Sequence, residues 1–180
     1  MKNLKLLTVL SMLLFVGTVA LGQTSKPEAK MYNSKNIVEI AAGSSDHSTL
    51  VAAVKAAGLV DVLSSDGPFT VFAPTNAAFN ALPDGTVETL LKKENQKKLQ
   101  SVLTYHVLAG DFKAADVVAA IKKGNGKATF KTVNGEDVYA MLDGDKVKLK
   151  DQSGNVATVT AADLNASNGV IHVIDAVIMP

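Results

Sequence analysis

The sequence predicts an α+β domain, because its apolar residues follow helical spacing in the first half and strand spacing in the second. Helical spacing runs from Ile37 to Leu103, in short segments that glycines and prolines interrupt. Alternating apolar and polar residues begin at Ala128 and continue through segments that Gly-containing turns separate. The last apolar run, Val170–Ile174, is apolar on both sides, which is typical of a central strand.

Each helix predicted in the first half is short and has a recognisable start or end. Ile37, Val38 and Ile40 fit an amphipathic helix that Gly43 ends. Asp46 or Ser48 is expected to cap the next helix, which Gly58 ends. Further helical turns are predicted at Leu59–Leu63, at Val87–Leu91 and from Glu94 to Leu103.

The segment Thr70–Phe79 predicts a buried strand that turns directly into a capped helix. Pro74 ends the strand, because proline has no N–H for the hydrogen-bond ladder. Thr75 is then placed as the helix N-cap, with its hydroxyl accepting from a backbone N–H. Phe79 would pack back on the core one turn into that helix.

The second half is predicted to be a series of antiparallel hairpins. Turns are expected at Asn134–Gly135, Asp143–Gly144 and Ser153–Gly154. The segments between them alternate in the manner of half-buried strands. These strands are predicted at Ala128–Val133, Asp137–Leu142, Lys146–Lys150 and, less regularly, Asn155–Thr160.

Residues 1–22 have the features of a secretory signal peptide: a basic start, an apolar stretch from Leu6 to Leu21 and small residues at the exit. Cleavage is expected near Ala20 or Gly22. A retained N-terminal anchor is the alternative. The polar residues 23–35 are expected to be a flexible leader, followed by one domain at 36–180. The predicted location is therefore secreted, either extracellular or periplasmic, with no membrane span in the mature chain.

The composition excludes several classes of function. The chain has no cysteine, so thiol catalysis and Cys-type zinc sites are absent. It has 18 basic and 17 acidic residues. Because Lys2 and Lys5 leave with the signal peptide, the mature chain would have 16 basic and 17 acidic residues. All basic residues are lysines, and a nearly neutral chain without arginine is not expected to bind nucleic acid.

Three ordered motifs resemble those of the fasciclin domain family over residues 36–180. They are Thr70–Phe79, Leu103–Gly110 with its Tyr-His pair, and Asn168–Asp175. The resemblance implies a wedge-shaped fold, in which a β-sandwich of mostly antiparallel strands carries a layer of short helices. The motif residues that it implies to be mainly structural are Thr70, Phe72, Pro74, Thr75, Asn76, Phe79, Asn168, Gly169, His172 and Asp175.

The resemblance also implies a function: a secreted or cell-surface adhesion module that binds a cell-surface or matrix protein, or a second copy of itself. No cofactor and no catalytic residue are implied. The alternative is a periplasmic or extracellular carrier that holds a lipid or another hydrophobic ligand in its apolar interior. That alternative requires a dry pocket of a few hundred Å³. A hydrolase would require a histidine, a nucleophile and an acid within hydrogen-bond reach.

Four residues are candidates for partner binding. In the family, the pair that Tyr105 and His106 match is tied to adhesion, although a buried imidazole bonded to backbone is the simpler interpretation of His106. Asp163–Leu164 occupies the place where some fasciclin domains carry an Asp-Ile dipeptide implicated in integrin recognition. The simpler interpretation is that Asp163 caps a turn and Leu164 packs inward.

No metal site is predicted. His172 is expected to be a core residue and His47 to be solvated in a polar turn, so the histidines do not converge. Asp151–Asn155 resembles a calcium loop, but Val156 and Ala162 replace the glycine and glutamate that such a loop needs. A β-turn is expected there instead. Asn165–Ser167 is a glycosylation sequon.

Overall fold

The computed structural model describes residues 34–180. The predicted signal peptide and most of the predicted leader lie outside the described residues. Residues 34–180 form seven α-helices and seven strands, and most of the helices precede most of the strands. The helices are α1 (Ile37–Ala42), α2 (Ser48–Ala57), α3 (Val60–Ser64), α4 (Asn76–Asn80), α5 (Thr86–Leu91), α6 (Gln96–Tyr105) and α7 (Ala114–Lys123). The strands are β1 (Phe69–Pro74), β2 (Val107–Ala109), β3 (Lys127–Lys131), β4 (Asp137–Asp143), β5 (Lys146–Lys150), β6 (Val156–Ala166) and β7 (Gly169–Ile174).

The seven strands form one strongly curved sheet in the order β2-β1-β7-β6-β5-β4-β3. Every pair is antiparallel except β1 and β7, which run parallel from Phe69–Gly169 to Pro74–Ile174. A single bridge between Leu108 and Thr132 brings β2 close to the end of β3. The predicted α+β class is therefore confirmed, and the two halves of the predicted β-sandwich are parts of one nearly closed sheet.

Strand β6 joins the two halves. Its first residues, Val156–Thr158, pair with β5, and the segment from Val159 to Ala166 pairs with β7. The ladder with β7 is irregular between Val159 and Leu164. An irregularity of this kind bends a strand and increases its twist, so one long strand can serve both halves of the sheet.

The interior has two apolar clusters. One lies between the helical layer and the strands, and it includes Ile37, Val54, Phe79 and Leu103. The other fills the inside of the curved sheet under α7, and its largest fully buried side chains belong to Phe72, Tyr105, Leu108, Ile121 and Leu149. Successive residues of β1 contribute to both clusters, because side chains alternate between the faces of a strand.

Several local predictions were wrong. Neither Asp46 nor Ser48 caps α2, because a 3-10 turn at Ser45–His47 precedes it and the cap comes from elsewhere in the chain. Strand β6 continues to Ala166 rather than ending near Thr160. Helix α7 was not predicted, although Val117, Val118 and Ile121 follow helical spacing.

No helix among residues 34–180 combines the length and the apolar character that crossing a membrane requires.

Candidate functional site

The strand-to-helix motif joins β1 to the first helices through two side chains. Thr75 begins α4 as predicted, since its hydroxyl accepts from the N–H of Ala78 at 3.3 Å. Asn76 has a role that the sequence did not show. Its Oδ1 accepts from the N–H of Thr49 at 2.9 Å and from the Ser48 hydroxyl, while its Nδ2 donates to the Ser45 carbonyl at 2.8 Å. Asn76 therefore caps α2 from a distance in sequence.

The turn before β7 is held by Asn168 and Gly169. The Asn168 Nδ2 donates to the carbonyls of Leu63 and Ser65, and its Oδ1 accepts from the Ile37 N–H. Gly169 has φ +154°, and a Cβ added there would lie 1.9 Å from the Phe69 carbonyl oxygen. These contacts join helices α1 and α3 to the parallel pair of strands β1 and β7.

Two more motif residues close the sheet at its ends. Thr70 is fully buried, and its hydroxyl donates to the Gly110 carbonyl and accepts from the Phe112 N–H. Asp175 is exposed, and its Oδ1 accepts from the Thr158 N–H at 2.6 Å. Each side chain satisfies backbone groups that the strand ladders leave unpaired.

Tyr105 and His106 lie at the end of helix α6, although the apolar run from Tyr105 to Leu108 is typical of a strand. Both are buried. The Tyr105 hydroxyl donates to the Asp137 carbonyl at 2.9 Å, and burial, with a contribution from the Asp151 carboxylate, raises the Tyr105 pKa to about 12. In this conformation neither side chain presents a surface to a partner.

His106 is held in one neutral tautomer. Its Nδ1 lies 2.8 Å from the Val102 carbonyl, and its Nε2 accepts from the Ile178 N–H at 3.2 Å. A carbonyl can only accept, so Nδ1 carries the proton. Complete burial lowers the pKa of His106 to about 4, which keeps the ring uncharged at neutral pH.

His172 is also buried and fully bonded. Its Nε2–H donates to the Phe112 carbonyl at 2.8 Å, and its Nδ1 accepts from the Asp163 N–H at 3.3 Å. The ring stacks on Phe72, with 5.7 Å between the ring centroids. The prediction of a core histidine agrees with this environment.

Asp163 and Leu164 lie in the irregular part of β6, not in a loop. Asp163 is exposed and has a left-handed backbone, with φ +59°. Its Oδ1 accepts from the Ala114 N–H at 2.8 Å, at the start of α7. Leu164 does not pack inward as the simpler interpretation held: its exposed fraction is 40%.

These motifs form one continuous set of contacts. The His106 carbonyl accepts from the Phe72 N–H at 2.9 Å. Phe72 stacks on His172, and His172 accepts from the backbone of Asp163. The structure therefore connects the buried Tyr-His pair to the exposed Asp163–Leu164 segment through two rings.

His47 is buried rather than solvated, with 7% of its surface exposed. Its Nδ1 lies 2.9 Å from the Ser44 hydroxyl, and its Nε2 has no hydrogen-bond partner among the described residues. Burial lowers the His47 pKa. A serine next to a histidine can be a nucleophile and base, but here the second ring nitrogen has no acid to orient it.

The calcium-like segment is a turn, in agreement with the prediction. Asp151 is buried, and its carboxylate accepts from the N–H and the side-chain amide of Asn155 and from the Met179 N–H. The oxygens of the Asp151 carboxylate are therefore occupied by hydrogen bonds within the protein. Among residues 34–180, no cluster of three or more His, Asp or Glu side chains is arranged to hold a metal ion.

Two hollow regions bear on ligand binding. A void of about 30 Å³ beside His106 and Leu103 is the size of a single water molecule. A surface groove of about 310 Å³ lies between α7 and strands β5 and β6. Phe72 and His172 form its floor, partly exposed valines line its walls, and Asp145 and Lys146 lie on its rim.

A family model, the Fasciclin domain, matches residues 45–180. The chain belongs to the fasciclin domain family. Protein sll1483 of Synechocystis is 54% identical over 155 residues, which cover 85% of this chain and 78% of the relative. Transforming growth factor-beta-induced protein ig-h3 of Sus scrofa is 34% identical over 148 residues, which cover 80% of this chain but 19% of that protein.

The fold comparison agrees with this assignment. A solved FAS1 domain pair of the insect cell adhesion molecule fasciclin I matches with a TM-score of 0.56 and 24% identity. The match covers 70% of this chain and 42% of that chain. It supports the fasciclin fold described above.

Proposed function

We propose that this fasciclin domain is a secreted, non-catalytic interaction module that binds a protein at a cell surface or in an extracellular matrix. Its partner can include a second copy of the same chain. Family membership supports the class of function, and the similar insect structure comes from a cell adhesion molecule. One structural observation supports the location of the binding contact: Leu164 is exposed on a segment that hydrogen bonds hold in place.

The proposed contact is the pair Asp163 and Leu164. An exposed leucine beside a carboxylate offers a partner both apolar area and one charge. The neighbouring bonds to Ala114 and His172 hold the backbone of this segment, so little conformational entropy is lost on binding. Tyr105 and His106 would act indirectly, by holding the strands on which this contact depends.

The absence of catalysis is part of the proposal. His106 and His172 use both ring nitrogens in bonds to backbone groups. The His47 Nε2 has no hydrogen-bond partner within residues 34–180, but that atom is buried. A general base needs a nitrogen that a substrate can reach, and these three environments do not supply one.

The test is an adhesion assay with beads coated with the purified protein, applied to cells of the source organism and to each other. Leu164→Ser should reduce adhesion, because it removes the exposed apolar area. Val156→Ser is the matched control, since Val156 is 44% exposed on the same strand, near its other end. Equal loss in the two variants, or none in Leu164→Ser, would contradict the proposed contact.

The charge can be tested separately from the fold. Asp163→Asn keeps an oxygen that can accept from the Ala114 N–H, and asparagine tolerates the left-handed backbone. A folded Asp163→Asn protein with reduced adhesion would assign a role to the carboxylate charge. Full adhesion by this variant would leave Leu164 as the contact and remove Asp163 from it.

The groove beside α7 supports a second candidate function, a carrier of a small hydrophobic ligand. Its volume of about 310 Å³ is at the lower end for ligand sites. The void beside His106 is too small for such a ligand. Mass spectrometry of the purified protein under non-denaturing conditions should detect a bound molecule, and Ala161→Leu should displace it. A ligand-free protein would count against this candidate.

Secretion is proposed from residues 1–22. Sequencing the N-terminus of the protein recovered from the periplasm or the medium should place the cleavage after Ala20 or Gly22. An intact N-terminus in a membrane fraction would favour the retained anchor.

A further inference from the structure

The outward side of strands β3, β4 and β5 forms a basic face. In the ladder, Lys127 pairs with Met141, Thr129 with Tyr139, and Lys131 with Asp137. The residues between them, such as Ala128 and Val138, belong to the buried core. Paired residues share one side of a sheet, so the first set faces outward. On this face lie Lys127, Lys131, Lys146, Lys148 and Lys150, with Tyr139 and Met141 at its centre.

The face has more positive than negative charge, although the whole chain is nearly neutral. Its two acids, Asp137 and Asp143, are each in an ion pair with a lysine, at 3.3 and 2.5 Å. The ammonium groups of Lys146 and Lys150 make no hydrogen bond or ion pair with residues 34–180. Glu136 and Asp145 lie in the turns at the two ends of β4 and leave the middle of the face cationic.

The lysines lie on the two sides of an apolar strip that runs along β4. Tyr139 and Met141 are half-buried and form a short apolar strip along β4. Lys127 flanks this strip on one side, with its ammonium 3.7 Å from the centre of the Tyr139 ring. Lys148 and Lys150 flank it on the other side, opposite Met141 and Tyr139. Neighbouring strands are about 4.8 Å apart, so two rows of cations run along an apolar strip roughly 10 Å across.

We propose that this basic face binds an acidic polysaccharide, with the sugar chain lying along the apolar strip and its carboxylates or sulfates on the flanking lysines. The proposal does not rest on the protein-binding contact at Leu164. An extended polyanion matches two parallel rows of charge on a sheet surface. Lysine is depleted in protein–protein interfaces, which makes an acidic protein a poorer match.

Other polyanions match the face less well. The chain has no arginine, the residue that most often reads bases in the major groove. A membrane-binding surface needs large apolar side chains that enter the lipid, whereas the apolar centre of this face is only half-exposed. Because the contact depends on exposed charges, binding should weaken as the salt concentration rises.

The test measures binding of a fluorescently labelled polygalacturonate oligomer to the whole protein by anisotropy, at low and physiological salt. Lys146→Gln/Lys150→Gln should weaken binding by about fivefold, as expected for two exposed ion pairs. Lys97→Gln/Lys98→Gln is the matched control, because it removes the same charge from exposed positions on helix α6. It should leave binding unchanged.

Three further results would overturn the proposal. One is an equal loss in both double variants, which would show a general electrostatic attraction between protein and polymer and not binding at this face. Another is unchanged binding in Lys146→Gln/Lys150→Gln, with both variants folded by circular dichroism. The third is tighter binding of single-stranded DNA or phosphatidylglycerol vesicles than of polygalacturonate at the same salt. Neutral dextran should not bind.

Discussion

Single side chains hold this domain together by satisfying backbone groups. Asn76, Asn168 and His172 each bond to backbone groups of other segments of the chain. Buried backbone N–H and C=O groups need partners, and helices of five or six residues leave many of them unpaired at their ends. The family motifs are therefore rich in short polar side chains for a structural reason.

The buried His106 gives the protein a predictable response to acid. Its pKa is about 4 in the folded protein and roughly 6.5 when exposed. Between these two pKa values the unfolded chain binds more protons than the folded protein does. The free energy of unfolding is therefore highest above the higher pKa and decreases as the pH is lowered. By pH 4 the loss should approach 3 kcal/mol.

Urea denaturation at intervals between pH 7 and pH 4 measures this loss. His106→Gln cannot bind the proton, so its stability should depend less on pH over the same range, even though it is less stable at pH 7. The lowered pKa of His47 acts in the same direction. Identical pH dependence in the parent and in His106→Gln would show that His106 is not the source.

At the scale of elements, helix starts are set both locally and from a distance. Thr75 is a local cap, and Thr75→Ala should lower the free energy of unfolding by about 1 kcal/mol. Thr75→Ser keeps the hydroxyl and should lose much less. Thermal unfolding of the two variants compares them, and equal melting temperatures for alanine and parent would contradict the cap.

Asn76 is the distant cap of α2. Asn76→Ala removes bonds to Ser45, Ser48 and Thr49 and should cost about 2 kcal/mol. Asn76→Asp keeps the acceptors but loses the donor to the Ser45 carbonyl, so it should cost less. Chemical denaturation distinguishes them. A larger loss for aspartate than for alanine would contradict the cap, because alanine lacks the same donor and the acceptor oxygen as well.

At the scale of the whole molecule, the parallel pair β1–β7 connects the helical layer to the sheet. Gly169 allows the two backbones to approach, since any Cβ there would overlap the Phe69 carbonyl. Gly169→Ala should therefore cost roughly 3 kcal/mol or prevent folding. Gly126→Ala is the control: its φ is also positive, at +98°, but an added Cβ meets nothing within 4 Å.

The two glycine variants separate crowding from backbone strain. Gly126→Ala should cost about 1 kcal/mol from its backbone conformation alone. Soluble yield and the urea midpoint of each variant provide the measurement. If Gly169→Ala were no less stable than Gly126→Ala, the close approach of β1 and β7 would not limit the fold.

Much of this fold could be predicted from local patterns. Alternation placed β5 at its observed bounds and β3 and β4 close to theirs, because half-buried strands need period-two patterning. The continuous apolar run Val170–Ile174 placed β7, because a central strand is buried on both faces. Gly43 and Gly58 ended α1 and α2 as expected. Helix α7 is not predicted, although its apolar residues follow helical spacing. The predicted β6 is too short, because the irregular part of this strand breaks the alternation of apolar and polar residues.

The sequence by itself determined the α+β class, the order of the elements apart from α7, the Thr75 cap and the family, since each depends on residues close together in the chain or on motif spacing. Only the tertiary structure decided that Tyr105 and His106 are buried, that His47 is not solvated and that Leu164 is exposed. It also brought the lysines of three strands onto one face. Burial and side-chain proximity depend on which segments pack together, and that pairing is made across long sequence separations that local patterns do not encode.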